Sequence, residues 1–214
     1  MCDHSNAVIS QCLIAGNEAS GVNPNAGGGG IICFDADASE IEDCHVTGNR
    51  SALLGGGFLC RGSQPRLIGC TVAGNLAADM GGGIACKQNS TVELQRTIVW
   101  GNCADSGIGD EAWVEEVSIA TLYCCALNEE GISGSVEYLG ANVFDDPLFC
   151  GGEECGAAPT IGGDYSISAQ SPCIPESSPC GQLIGAIGVG CGWLTATEMI
   201  TWGKLKYCGA AQSR

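Results

Sequence analysis

The stretch CTVAGNLAADMGGGIAC, residues 70–86, sets an apolar pair between a cysteine and a Gly-Asn dipeptide, then a small-residue spacer, three glycines and a second cysteine. The chain writes this phrase several times. CLIAGN at 12–17, CHVTGN at 44–49 and the degenerate TIVWGN at 97–102 repeat its first half, with asparagines 32, 26 and 27 residues apart. GGGIIC at 28–33, GGGFLC at 55–60 and GGGIAC at 81–86 repeat its second half, 27 and 26 residues apart. Two separate landmarks share one period. The longer first interval holds an insertion of turn-like composition, VNPNAG at 22–27.

A period in the twenties marks a solenoid, whose unit cannot bury its apolar face alone. Within the unit Ile84 and Cys86 share one face, as do Ile31 with Cys33 and Phe58 with Cys60, which is the period of a strand. Leu67, Cys70 and Val72 fall into columns with Ile41, Cys44 and Val46, and with Leu94, Thr97 and Val99. No helical stretch fits between them. The fold read from this pattern is all-β, a parallel β-helix with coils of about 26–27 residues. Asn17, Asn49, Asn75 and Asn102 form the expected ladder, since Asn tolerates the left-handed backbone of a sharp turn and stacked amides bond along the column. The glycines supply tight corners.

These phrases, together with NVFDDPLFC at 142–150, DYSISAQSPC at 164–173 and IGAIGVGC at 184–191, resemble the right-handed parallel β-helix repeat proteins of secreted bacterial type, many of which carry C-terminal sorting tails. The resemblance covers residues 8–191, with Thr97 in place of a repeat cysteine and a looser match over 103–140. It implies right-handed coils. Residues 1–191 are therefore assigned to the β-helix, irregular from about 103, and 192–214 to a terminal element. In that element Thr195 stands three before Glu198, a capping box followed by Met199, Ile200, Trp202 and Leu205. It reads as a cap helix over the open end of the solenoid or, through TWGKLK, as a sorting or anchoring tail.

Composition bounds partners and address. Lys plus Arg number 8 against 24 Asp plus Glu, a net charge of −16, so nucleic acid and anionic membranes are repelled. No run approaches the ~20 apolar residues of a membrane span. Sixteen cysteines without a CxxC pair point to an oxidising, extracytoplasmic setting, secreted or at the cell surface. The N-terminus, MCDHSNAVISQCLIAGN, lacks a basic segment followed by an apolar one, so no signal peptide is read there and the chain reads as part of a larger surface protein.

The chemistry-bearing residues are sparse. Two inward cysteine columns, Cys12, Cys44, Cys70 and Cys33, Cys60, Cys86, read as buried packing thiols or as bridged pairs. Cys150 with Cys155 and Cys173 with Cys180 are plausible local disulfides, with Cys191 competing for either partner. Asp35, Asp37, Glu40, Glu42 and Asp43 cluster beside the second coil, and Asp35, Asp37, Glu40 and Asp43 are weak calcium candidates, calcium being the one cofactor considered. With Arg61 and Lys87 stacked outward above Phe34, Asp35 and Asp37 could make the acidic and basic strip of a polysaccharide lyase or glycoside hydrolase. The two histidines, His4 and His45, have no Ser or Cys motif around them, so no catalytic triad is read. The expected role is an extracellular structural, surface or adhesion module contacting carbohydrate, with self-association through the open N-terminal coil as a further partner mode.

Overall fold

The computed structural model describes residues 1–23, 27–35 and 38–192. Its strands stack in register into long parallel sheets of six, six, five and four strands. The first sheet holds Cys2–Asp3, Ile31–Phe34, Phe58–Arg61, Ile84–Lys87, Ala112–Val114 and Ile132–Gly134. The second runs from Val8–Ser10 through Glu40–Glu42, Arg66–Ile68, Thr91–Gln95 and Ile119–Tyr123 to Val136–Tyr138. Every pairing among these strands is parallel, with Cys33 beside Cys60 and Leu67 between Ile41 and Leu94. One coil thus crosses each sheet once and advances by one strand spacing, which is a parallel β-helix.

Alternation decides the core. Ile31, Cys33, Phe58, Cys60, Ile84 and Cys86 point inward from the first sheet, meeting Ile41, Leu67 and Leu94 from the second and Val46, Val72 and Val99 from the third, whose strands are Leu13–Ala15, His45–Thr47, Thr71–Ala73, Ile98–Trp100 and Ala126–Leu127. All belong to one apolar cluster that runs the length of the solenoid. Strands continue through 103–138 in the same register, although the sequence there departs from the repeat.

A corner interrupts the sheet ladder, so inward-facing N–H groups at each turn need another partner. Polar side chains from the next coil supply it at three corners. At the first, Ser63 N donates to Ser90 Oγ and Ser90 N to Ser118 Oγ, at 3.3 and 3.1 Å. At the second, Cys12 N donates to Cys44 Sγ at 3.4 Å and Cys70 N to Thr97 Oγ1 at 3.2 Å, while Cys125 N donates to Asn142 Oδ1 at 2.8 Å. At the third, Asn17 N donates to Asn49 Oδ1, Asn49 N to Asn75 Oδ1 and Asn75 N to Asn102 Oδ1, at 3.0, 2.9 and 3.0 Å, and the three Nδ2 groups donate to the same oxygens at 2.9, 3.0 and 2.9 Å. The left-handed turn at this third corner falls on glycine and not on asparagine: Gly16, Gly48, Gly74 and Gly101 have φ of 66°, 58°, 63° and 69°. Asparagine is there for its amide, which reaches inward.

The column residues Cys44, Cys70, Thr97 and Cys125 show what the corner requires. Thr97 Oγ1 donates to the Leu67 carbonyl at 3.2 Å, as Cys70 Sγ does to the Ile41 carbonyl at 3.2 Å. A small side chain with one donor and one acceptor suffices. Cys70→Thr is therefore expected to cost less than about 1 kcal/mol in urea unfolding, whereas Cys70→Leu, which overpacks a fully buried site, costs about 2–3 kcal/mol.

The coils do not run on to Cys191. After the isolated bridge between Ala126 and Val143 the chain turns at Asp145-Asp146-Pro147 and forms a separate three-stranded sheet from Phe149–Gly151, Asp164–Ser168 and Val189–Cys191. This segment, residues 141–192, lies back along the outside of the solenoid as a strap. The reason is apolar: Ile98 and Ala126 face outward from the third sheet yet are completely buried, packed with Val143, Ile167, Cys173 and Ile184 of the strap. Further along, Ala186 N donates to Thr71 Oγ1 at 3.1 Å and Thr160 N to the Gly48 carbonyl at 2.8 Å. The cap helix or tail read over 192–214 falls, from residue 193, outside the described residues.

Candidate functional site

Three disulfides fix the strap. Cys103–Cys155 and Cys124–Cys180 tie it to two successive coils, and Cys150–Cys191 closes it on itself, with Cα separations of 5.7, 6.0 and 5.8 Å. The local pairs Cys150 with Cys155 and Cys173 with Cys180 do not form. The strap brings Cys155 and Cys180 onto coil cysteines, and Cys173 stays a free, fully buried thiol. The column cysteines Cys44, Cys60, Cys70 and Cys86 are likewise free and buried, and Cys33 is buried in the same column, while Cys12, in the first coil described, is exposed. Cys2 and Cys125 are buried thiols too, in register with the two columns. Burial pushes the Cys125 thiol up to about 12 and Cys173 up to about 11, so both remain protonated and unreactive.

Asp35, Glu40 and Asp43 are spread along the second coil. Asp35 ends the first sheet in a left-handed turn, and Asp43 occupies the corresponding turn after the second. Glu40 lies between them and pairs with Arg66, whose Nη1 stands 2.8 Å from Glu40 Oε1 while its Nε reaches Glu93 Oε2 at 3.1 Å. Asp37 falls outside the described residues. Among the described residues no three His, Cys, Asp or Glu side chains come together in a group that could hold a metal ion. Arg61 stacks on Phe34, its Cζ 4.4 Å from the ring centroid, and donates to Gln88 Oε1 at 2.6 Å; Lys87 is its neighbour in register. His45 faces outward beneath the strap, where its Nε2 is enclosed without a hydrogen-bond partner and burial lowers its pKa.

The strap builds a concave feature against the solenoid. A groove of about 800 Å3 opens where residues 146–168 pass over the third corner of the solenoid, within the size range of ligand sites. Its solenoid wall is Gly74, Trp100, Gly101, Asn102 and Cys103; its strap wall includes Asp146, Phe149, Glu153, Glu154, Cys155 and Tyr165. Phe149 and Tyr165 pack edge to face with centroids 5.3 Å apart, and the Tyr165 hydroxyl donates to the Glu153 carbonyl at 3.3 Å. The carboxylates are held in place. Asp146 Oδ1 accepts from Leu148 N at 2.8 Å, and Glu153 Oε2 accepts from Thr160 Oγ1 at 2.8 Å. Among the described residues lining this groove there is no Lys, Arg or His. Gly74 is needed at its edge, because a Cβ there would strike the Tyr165 hydroxyl.

Behind the solenoid wall stands Glu111. It occupies the position that Gly83 holds one coil earlier, and its carboxylate takes the place of the next asparagine oxygen. Glu111 Oε2 accepts from Asn102 Nδ2 at 2.7 Å and from Asn102 N at 3.3 Å, and Oε1 accepts from Gly101 N at 2.7 Å. It thereby ends the ladder and fixes two residues of the groove wall. Burial, outweighing these hydrogen bonds, pushes its carboxyl up to about 7 from an ordinary 4.5. Between those two values the folded chain keeps a proton that the unfolded chain has released, so this contribution to stability is complete below pH 4.5 and is lost as pH rises through about 7. Across that window wild type is expected to lose on the order of 3 kcal/mol more than Glu111→Gln, read as urea midpoints at mildly acidic and mildly alkaline pH.

The groove was not legible beforehand. Trp100 stands in a degenerate repeat, and Phe149 and Tyr165 lie outside the period. The one available signal for Glu111 was the phrase Gly109-Asp110-Glu111 standing where three glycines are due, in the coil where the asparagine column ends.

The described residues contain no helix long and apolar enough to cross a membrane. Neither the comparison with curated proteins nor the comparison with solved structures gives a match. A family model described as the right handed beta helix region matches residues 1–137, the span in which the four parallel sheets are built. The chain belongs to the right-handed β-helix family.

Proposed function

We propose that this chain is an extracellular β-helix module that holds a carbohydrate chain in the groove between its strap and its solenoid. The observation that carries the reading is the groove itself, in which the Trp100, Phe149 and Tyr165 rings accompany the anchored carboxylates of Asp146 and Glu153. Aromatic faces suit the C–H surfaces of sugars, and fixed carboxylates accept their hydroxyls. Three disulfides support an oxidising address, where such a strap stays closed. A rigid solenoid presents the groove as a platform, in keeping with a structural or adhesive role within a larger surface protein.

Oligosaccharides of four to six sugars, offered with and without calcium, test this by titration calorimetry. At least one is expected to bind wild type and to lose at least tenfold in affinity to Trp100→Ala. No binding to any of a broad panel, or binding that Trp100→Ala leaves unchanged, would overturn the groove as the site. The same mixtures report on the alternative: release of shorter sugars, abolished by Glu153→Gln, would make the module a glycoside hydrolase or lyase.

A further inference from the structure

Resting on the carbohydrate reading of the groove, we infer that its ligand is a polymer of amino sugars with free amines, a cationic glycan, and not a neutral or uronate chain. Asp146, Glu153 and Glu154 all line the groove, and no cationic side chain among the described residues lining it offsets them. Their own hydrogen bonds come from one backbone N–H and one hydroxyl, Leu148 N to Asp146 and Thr160 Oγ1 to Glu153, and among the described residues neither of those two carboxylates is neutralised by an ion pair. The chain as a whole carries −16, which raises the local concentration of a polycation and repels a polyanion. A uronate ligand would bring like charge onto these carboxylates. A cationic chain meets them with its ammonium groups while its ring faces lie on Trp100 and Phe149, and an ammonium passing over an indole or phenyl face gains further attraction.

Titrating the full chain with a glucosamine hexamer and its fully N-acetylated counterpart, at mildly acidic pH and low salt, separates the possibilities. The free-amine hexamer is expected to bind roughly tenfold tighter than the acetylated one, as two partly exposed charge contacts allow. Its affinity falls with added salt. In Asp146→Asn/Glu153→Gln, which keeps both internal hydrogen bonds and so the wall, the preference collapses to less than about threefold. Equal binding of the acetylated hexamer or of a neutral cello-oligosaccharide, lost in Trp100→Ala, would overturn the cationic assignment and leave the carbohydrate reading standing. Binding of oligolysine that exceeds the glucosamine hexamer and ignores Trp100→Ala would overturn both, marking the groove as a peptide site. Tightest binding of an oligogalacturonate would overturn the charge argument directly.

Discussion

Replacing Asn75 by alanine is expected to destabilise the protein by on the order of 4 kcal/mol, because four hydrogen bonds end on this one fully buried amide. Its Oδ1 accepts from Asn49 N and Asn49 Nδ2, at 2.9 and 3.0 Å, and its Nδ2 donates to the Val46 carbonyl and to Asn102 Oδ1, at 2.8 and 2.9 Å. Alanine leaves those partners unpaired in the interior, and the flanking glycines cannot repair the loss. Gly57 sits so close that even a Cβ there would meet Asn75 Nδ2 at 2.8 Å. Asn17→Ala provides the contrast: that amide is exposed at the open end of the ladder and its removal costs less than about 1 kcal/mol. Urea melts of the two variants make the comparison. Equal, small losses would mean that stacking of the apolar columns alone holds the corner.

Removing both strap-to-coil disulfides, by Cys103→Ser with Cys124→Ser, has the second large effect. The bridges span 52 and 56 residues, and loop-closure entropy assigns about 4 kcal/mol to each, with the sum smaller because the loops overlap. The remaining bridge, Cys150–Cys191, joins the strap only to itself. The expected outcome is local: proteases cut between 140 and 165 while residues 1–137 stay resistant, and the groove loses its second wall. The apolar seat of the strap, Ile98 and Ala126 against Val143, Ile167 and Ile184, is then left to act alone against the chain entropy that the segment regains. If the double variant keeps the protease resistance of wild type, packing and not covalent linkage fixes the strap.

What could be read from the residues alone follows from how each feature is encoded. The cysteine, asparagine and glycine columns recur because every coil presents the same corner to the same neighbour, so one physical demand is written at each period. Ile41, Leu67 and Leu94 are legible for that reason, and so is the parallel register they share. The serine corner of Ser63, Ser90 and Ser118 obeys the same logic, but serine is common enough in turns to hide it. The strap is written once. Its sheet has no period, and Cys155 and Cys180 pair with partners 52 and 56 residues away, so nearness in sequence misdirects toward Cys150 with Cys155 and Cys173 with Cys180. Outward apolar residues gave the remaining hint: Ile98 in a column otherwise holding Leu13, His45 and Thr71 demands a cover. Of the acidic stretch, Asp35 and Asp43 fall in turns after different sheets of one coil, a separation that nearness in sequence hides.

The groove exists only if the strap is tied where it lies, and peptide mapping of the non-reduced protein by mass spectrometry, with free thiols blocked first, reads those ties. Cross-linked peptides joining Cys103 to Cys155, Cys124 to Cys180 and Cys150 to Cys191, with Cys44, Cys60, Cys70 and Cys86 recovered as blocked thiols, are expected. Recovery of Cys150 joined to Cys155 and Cys173 joined to Cys180 would contradict the strap and its groove, and recovery of every cysteine as a free thiol would contradict the extracellular address as well.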